Sequence, residues 1–225
     1  MTEPLDIYIG FDSNEIVAYH VLCQSIIAKS SRPVRFTPIS LRNIAAIFNR
    51  ERNQLQSTEF SFSRFLVPYL SGYRGWSLFM DCDMLLRTDI APLFALANDD
   101  YSVMVCKHDY VPRDEVKFLG QVQTKYEKKN WSSVMLFNNA KCKALSPDYV
   151  NRASGLELHQ FKWLAGDEAI GSLPLVWNWL VGEYDYNADA RIVHFTRGGP
   201  YFADYKDSDY ADEWAGMLKE TTYVA

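Results

Sequence analysis

The sequence predicts an α/β fold with a mostly parallel central sheet covered by helices on both faces. Two observations carry this. Short apolar runs rich in β-formers alternate along the chain with stretches of helical periodicity. The clearest of these runs, Trp76 to Asp81 (WSLFMD), shows almost no polar alternation, as befits a strand buried on both faces. Ligands of such sheets bind beyond the carboxyl ends of the strands, which is where chemistry-bearing residues are sought.

Taken in order, Leu5 to Phe11 reads as the first strand and ends in the turn-forming Asp12-Ser13-Asn14-Glu15. From there to Lys29, Ile16, Val17, Leu22, Cys23, Ile26 and Ile27 fit one helical stripe, with Asp12 or Ser13 as N-cap and Glu15 in the first turn. Val34 to Ser40 is the second strand. Apolar positions at Phe62, Phe65, Leu66 and Tyr69 predict a helix over Ser57 to Leu70, which Pro68 kinks or ends. After the Trp76 strand, further strands are expected over Ser102 to Cys106, Ser133 to Phe137, Leu173 to Val176 and Arg191 to Phe195. The tail from Ala203 is acidic and tyrosine-rich and reads as a surface helix or a closing flap.

The chain of 225 residues suits one domain over 1–225, with no internal repeat, low-complexity segment or linker. Its net charge of -5 argues against nucleic acid or an anionic membrane surface as the main partner. That charge does not exclude a phosphate reached through a metal. Cys23, Cys82, Cys106 and Cys142 form no Cys-x-x-Cys pair, so neither a zinc ribbon nor a disulfide framework is indicated. Reduced, mostly buried thiols point to the cytoplasm. Neither a signal peptide at the N-terminus nor a transmembrane segment is expected. A protein of this kind that works at a membrane would visit it from the cytoplasm, at its inner face.

The strongest chemical signal is Asp81-Cys82-Asp83. Residues two apart on an extended chain point to the same side, so both carboxylates aim at one point while Cys82 turns away. Two such charges repel unless a cation sits between them, and oxygen ligands suit Mg²⁺ or Mn²⁺.

The surrounding segment, STEFSFSRFLVPYLSGYRGWSLFMDCDMLLRTDIAPLFAL, resembles the family 8 glycosyltransferases, whose members include glycogenin and bacterial lipopolysaccharide galactosyltransferases. Arg64, Pro68, Asp81, Asp83, Asp89-Ile90 and Leu93 match that family in order and spacing over about forty residues, and weaker matches extend along most of the chain. The resemblance implies a single GT-A (Rossmann-like) domain and a nucleotide-sugar donor, a UDP-sugar. It also implies Mn²⁺ (or Mg²⁺) and transfer, with retention of configuration, to a hydroxyl of a carbohydrate, lipid-linked or protein acceptor.

Carried over residue by residue, Asp81 and Asp83 bind the metal and His194, in Ile192-Val193-His194-Phe195, is its third ligand. Arg64 sits by the donor, and Phe11-Asp12 and Cys82 line the nucleotide site. Asn130 approaches the donor sugar. Gly198-Gly199 stands where the family has Gly-x-x-Lys-Pro-Trp: the diglycine suits an anion-binding nest for the diphosphate, the lysine is missing, Tyr201 replaces the tryptophan, and Arg197 is a candidate for the lost positive charge. Asp167 and Glu168 stand where the family has an Asp-Gln pair under the reacting sugar carbon, to orient hydroxyls, stabilise positive charge or act as nucleophile. One of Trp163, Trp177 and Trp179 is a candidate face for a sugar ring.

Two alternatives stay open at this stage. The missing lysine and altered Asp-Gln pair are compatible with a non-catalytic nucleotide-sugar or carbohydrate-binding protein. A haloacid-dehalogenase-type phosphatase also carries Asp-x-Asp after an apolar strand, although its motif belongs near the N-terminus and is soon followed by Thr or Val.

Overall fold

The computed structural model describes residues 3–51, 56–109 and 127–222. The elements are β1 (Leu5–Gly10), α1 (Ile16–Lys29), β2 (Val34–Ile39), α2 (Val67–Leu70), β3 (Trp76–Met80), β4 (Met84–Leu86), α3 (Ala91–Phe94), β5 (Val103–Cys106), β6 (Val134–Asn138), α4 (Pro147–Arg152), α5 (Gly155–His159), β7 (Ile170–Leu173), β8 (Trp179–Leu180), β9 (Ile192–His194) and α6 (Ala211–Thr222). Six strands form the central sheet in the order β2-β1-β3-β6-β5-β7, and β4-β9-β8 form a second, smaller sheet. β1 runs parallel to β2 and β3, and β5 parallel to β7, while β6 is antiparallel to both neighbours. The α/β expectation holds, with one reversed strand.

The central strands explain their own lack of alternation. Ser77, Leu78, Phe79 and Met80 of β3 are fully buried, as is all of β6 but Asn138. Phe60, Phe65, Phe79, Phe137 and Trp177 are among the largest fully buried side chains, and they cement the sheet to the layers around it. Gly10 ends β1 beneath Phe60, where a Cβ would lie 2.3 Å from the ring.

Several local expectations are corrected. The N-cap of α1 is Glu15, not Asp12 or Ser13, and it makes no side-chain cap bond. Asp12 instead accepts from the Asn14 amide at 2.9 Å and from the Glu59 amide at 2.9 Å, folding its own turn and anchoring a distant loop. The continuous helix over Ser57 to Leu70 is replaced by a 3₁₀ turn at Ser63–Leu66 and the short α2, which Pro68 opens rather than kinks because the first helical turn needs no amide donor there. The strand expected over Leu173 to Val176 lies earlier, at Ile170–Leu173, since Pro174 cannot donate to a ladder. α6 packs on α1 with Trp214 and Met217 buried, so the acidic tail is a docked amphipathic helix. Among the described residues no helix is long and apolar enough to cross a membrane.

Candidate metal centre

Three strands converge on one point. β3 delivers Asp81 and its ladder continues one residue past the strand, where the Asp81 amide donates to the Ser133 carbonyl at 3.0 Å. The chain then bends through Cys82 into β4, whose Met84 pairs with His194 on β9. The Phe195 amide donates to the Asp83 carbonyl at 2.9 Å, so the second sheet fixes Asp83 and His194 side by side. The candidate ligand atoms of Asp81, Asp83 and His194 all lie within 4.8 Å of one another, and all three residues are buried. His194 Nε2 stands 3.3 Å from Asp83 Oδ1. Two carboxylates and an imidazole form a donor set that suits Mn²⁺, so the residues fit a divalent cation.

The surrounding electrostatics call for positive charge. Asp12, Glu15, Asp81 and Asp83 are each less than a tenth exposed. Arg64 offsets part of this charge: its Nη1 sits 2.7 Å from Asp81 Oδ1 and also donates to the Ser132 carbonyl at 2.9 Å. The guanidinium lies 5.1 Å from the ring centroids of both Phe60 and Phe79, in a desolvated slot. Glu15 shows what burial among these carboxylates does. Burial, and then the charge of Asp83, push its carboxyl up to about 8, against a pull down from the Tyr201 hydroxyl that donates to it.

His194 is held from behind. Its Nδ1 lies 3.0 Å from Oδ1 of Asn178, a residue with no exposure at all. The Asn178 amide nitrogen reaches Ser133 Oγ at 2.8 Å and His108 Nε2 at 3.0 Å. Sequence reasoning overlooked Asn178, although a polar residue inside the apolar run LPLVWNWL is a legible sign of a buried polar junction. It also read Glu15 only as a first-turn residue.

The other expected site residues are distributed around this centre. Phe11 stacks edge-on against Tyr19 at 5.5 Å, at the end of β1. Cys82 is fully buried in the main core, and burial and then the charges of Glu15, Asp83, Asp81 and Asp12 push its thiol pKa up. Asn130 donates to Thr196 Oγ1 at 3.4 Å, which ties its loop to the end of β9. Gly198 adopts φ +142°, a conformation open to glycine, and its amide donates to Phe195 O at 2.8 Å, so that amide is engaged within the turn. Gly199 lies under Tyr201, with a Cβ position 2.2 Å from the ring. Arg197 donates to the Gly182 carbonyl at 3.3 Å.

Asp167 and Glu168 occupy a 3₁₀ turn and are exposed. Asp167 pairs with Lys128 at 2.5 Å; that hydrogen bond, and then the charges of Lys128, Lys162 and Lys107, lower its pKa. Lys128 stands two residues before Asn130, so one loop links Asp167 to the β9 end. Trp163 and Trp177 are core residues, while Trp179 is half-buried and donates to the Asp185 carbonyl.

No family model matches the chain. Protein CDI of Arabidopsis thaliana is 47% identical over 227 residues, covering 97% of this chain and 87% of that protein. The WbbM bifunctional glycosyltransferase superposes with a TM-score of 0.67 at 13% identity, over 99% of this chain and 50% of that one, so this chain spans half of that protein's length. The galactosyltransferase LgtC, solved with donor and acceptor sugar analogs, gives a TM-score of 0.61 at 14% identity over 98% of both chains. Similarity of this kind establishes the GT-A fold.

Proposed function

The chain belongs to the family of Protein CDI, and on that premise we propose that it is a metal-dependent glycosyltransferase moving a sugar from a UDP-sugar to an acceptor hydroxyl. One observation carries the proposal: Asp81, Asp83 and His194 bring three metal-ligating atoms within 4.8 Å at the strand ends of a GT-A fold. Asp81, Asp83 and His194 would hold the divalent cation, Mn²⁺ by their donor set, and it would supply Lewis-acid stabilisation of the charge that grows on the diphosphate as the sugar–phosphate bond breaks.

The chain's own residues then have distinct tasks. Arg64 fixes Asp81 and places a permanent positive charge beside the site, the preorganised kind of stabilisation that needs no rearrangement during reaction. Phe11 and the Asp12 turn line the nucleotide, and the Gly199 end of the diglycine turn faces the diphosphate. Asn130 and Asp167, joined through the Lys128 loop, orient the hydroxyls of the donor sugar, with Glu168 beside them. The acceptor oxygen attacks the anomeric carbon, its proton leaves to the departing phosphate or to water, and UDP is the second product.

The test is release of UDP from a panel of UDP-sugars, with and without an added acceptor, in Mn²⁺ and in EDTA. The proposal expects turnover in Mn²⁺ that EDTA and Asp83→Asn abolish. Turnover indifferent to both would refute it.

A second reading has an observation behind it. Asp167 is exposed and engaged by Lys128, which suits a metal-dependent nucleotide-sugar-binding protein without transferase activity. On that reading UDP binds in Mn²⁺ and no UDP-sugar is ever consumed. The GT-A fold sets aside a haloacid-dehalogenase-type phosphatase.

A further inference from the structure

We infer that Asn178 is the positioning residue of the metal centre: its buried side-chain amide holds His194 as the Nδ1–H tautomer, leaving a bare Nε2 aimed at the point shared with Asp81 and Asp83. The inference rests on the metal-site reading above and deepens it.

The orientation of the Asn178 amide follows from its partners. One end meets the Asn130 carbonyl at 3.3 Å, which can only accept, and so that end must be the NH₂. Ser133 Oγ donates to the same Asn130 carbonyl at 2.7 Å, and so accepts from Asn178 at 2.8 Å. His108 Nε2 accepts the second amide proton at 3.0 Å, and His108 Nδ1 lies 2.8 Å from the Tyr184 hydroxyl. Burial pushes the His108 pKa down to about 3, so its ring is neutral, and the NH₂ end of Asn178 against it selects the tautomer with a bare Nε2.

With the NH₂ end committed, Oδ1 alone faces His194 Nδ1 at 3.0 Å, and that nitrogen must donate. A flipped amide would set Oδ1 against the Asn130 carbonyl, two acceptors in contact in a dry site. The other ring nitrogen, Nε2, stands 3.3 Å from Asp83 Oδ1, two acceptors that a cation between them reconciles. Metal-bound histidines depend on such a partner at the far nitrogen to fix tautomer and ring angle. The network does more here, because Ser133 and Asn130 belong to the loop that also carries Lys128, the partner of Asp167. Asn178 thus ties the metal-facing ring to the loop expected at the donor sugar.

The experiment uses Mn²⁺ alone as the probe. Wild type, Asn178→Leu and Asn178→Asp are compared by titration calorimetry and by pulsed EPR, which reads ¹⁴N coupling from a directly bound imidazole. Asn178→Leu is expected to weaken Mn²⁺ by about tenfold or more and to lose or scatter the ¹⁴N coupling. Asn178→Asp keeps an acceptor for Nδ1–H, its second oxygen taking a proton to donate where the amide NH₂ did, and is expected to retain the coupling. Because the leucine variant could fail to fold, ¹⁵N NMR of the neutral His194 ring in the wild-type protein gives an independent reading, with Nδ1–H expected.

An Nε2–H tautomer, or a folded Asn178→Leu with wild-type affinity and coupling, would overturn the inference while leaving the metal site standing. Wild-type protein that shows Nδ1–H yet binds no Mn²⁺ would defeat the metal reading itself, and with it the ligand role assigned to His194.

Discussion

Arg64→Met is the most telling perturbation of the resting site. The guanidinium and the Asp81 carboxylate form a pair 2.7 Å apart, with side chains 6% and 11% exposed. Removing one partner of a buried pair leaves an uncompensated charge and typically costs about 3–5 kcal/mol. Here Asp83 lies close to the orphaned carboxylate, which places the cost towards the upper end. For a chain of this size each kcal/mol lowers the melting temperature by about 2–4 °C, so a fall of about 6–20 °C is expected in EDTA. Mn²⁺ stabilises the native state by mass action, about 2.7 kcal/mol at one hundred times its Kd. The variant should gain more than wild type, since the cation replaces the missing positive charge. Melting curves of both proteins in EDTA and in saturating Mn²⁺ measure this. A variant as stable as wild type in EDTA, or a deficit that Mn²⁺ leaves untouched, refutes the account of Arg64 as the counter-charge of the site.

Glu15→Gln should flatten the pH dependence of stability in EDTA. Glu15 binds its proton more tightly folded, near 8, than unfolded, near 4.5, so its contribution is complete below about pH 4.5 and is lost as pH rises through about 8. Wild type is therefore expected to lose melting temperature between pH 6 and pH 9 faster than Glu15→Gln, and parallel curves would contradict this. Gly199→Ala places a Cβ 2.2 Å from Tyr201, so the ring must move off Glu15 at a cost of about 1–3 kcal/mol in urea denaturation. That cost should largely vanish on a Tyr201→Ala background, and an additive double mutant would show that the crowding is not with Tyr201. Phe79→Ala empties a fully buried site beside Arg64 and should cost about 3–5 kcal/mol in urea denaturation, and a loss below about 1 kcal/mol would contradict this packing.

What could be read from the sequence depended on how local its cause was. β3 and β6 betrayed themselves because burial on both faces leaves an apolar run, and Asp81 and Asp83 stood out against that background. The β4-β9-β8 sheet was only partly visible: β9 was foreseen, but β4 and β8 are three and two residues long and owe their existence to pairing with a distant segment. The same reason hid the setting of His194, which meets Asp83 through a register that no local pattern encodes. Arg64 was legible as a site residue but not as the partner of Asp81, because its orientation follows from a slot between Phe60 and Phe79. Asn178 was passed over in its apolar run, and Glu15 was read only as a first-turn residue of the helix. Their burial is a property of the assembled layers.

The central claim is that Asp81, Asp83 and His194 hold a divalent cation on which nucleotide binding depends. Calorimetric titration of UDP into wild-type protein and Asp83→Asn, each in Mn²⁺ and in EDTA, tests it most directly. The account predicts binding by wild type in Mn²⁺ and its loss in the other three conditions. UDP that binds equally well in EDTA, or to Asp83→Asn, would contradict it.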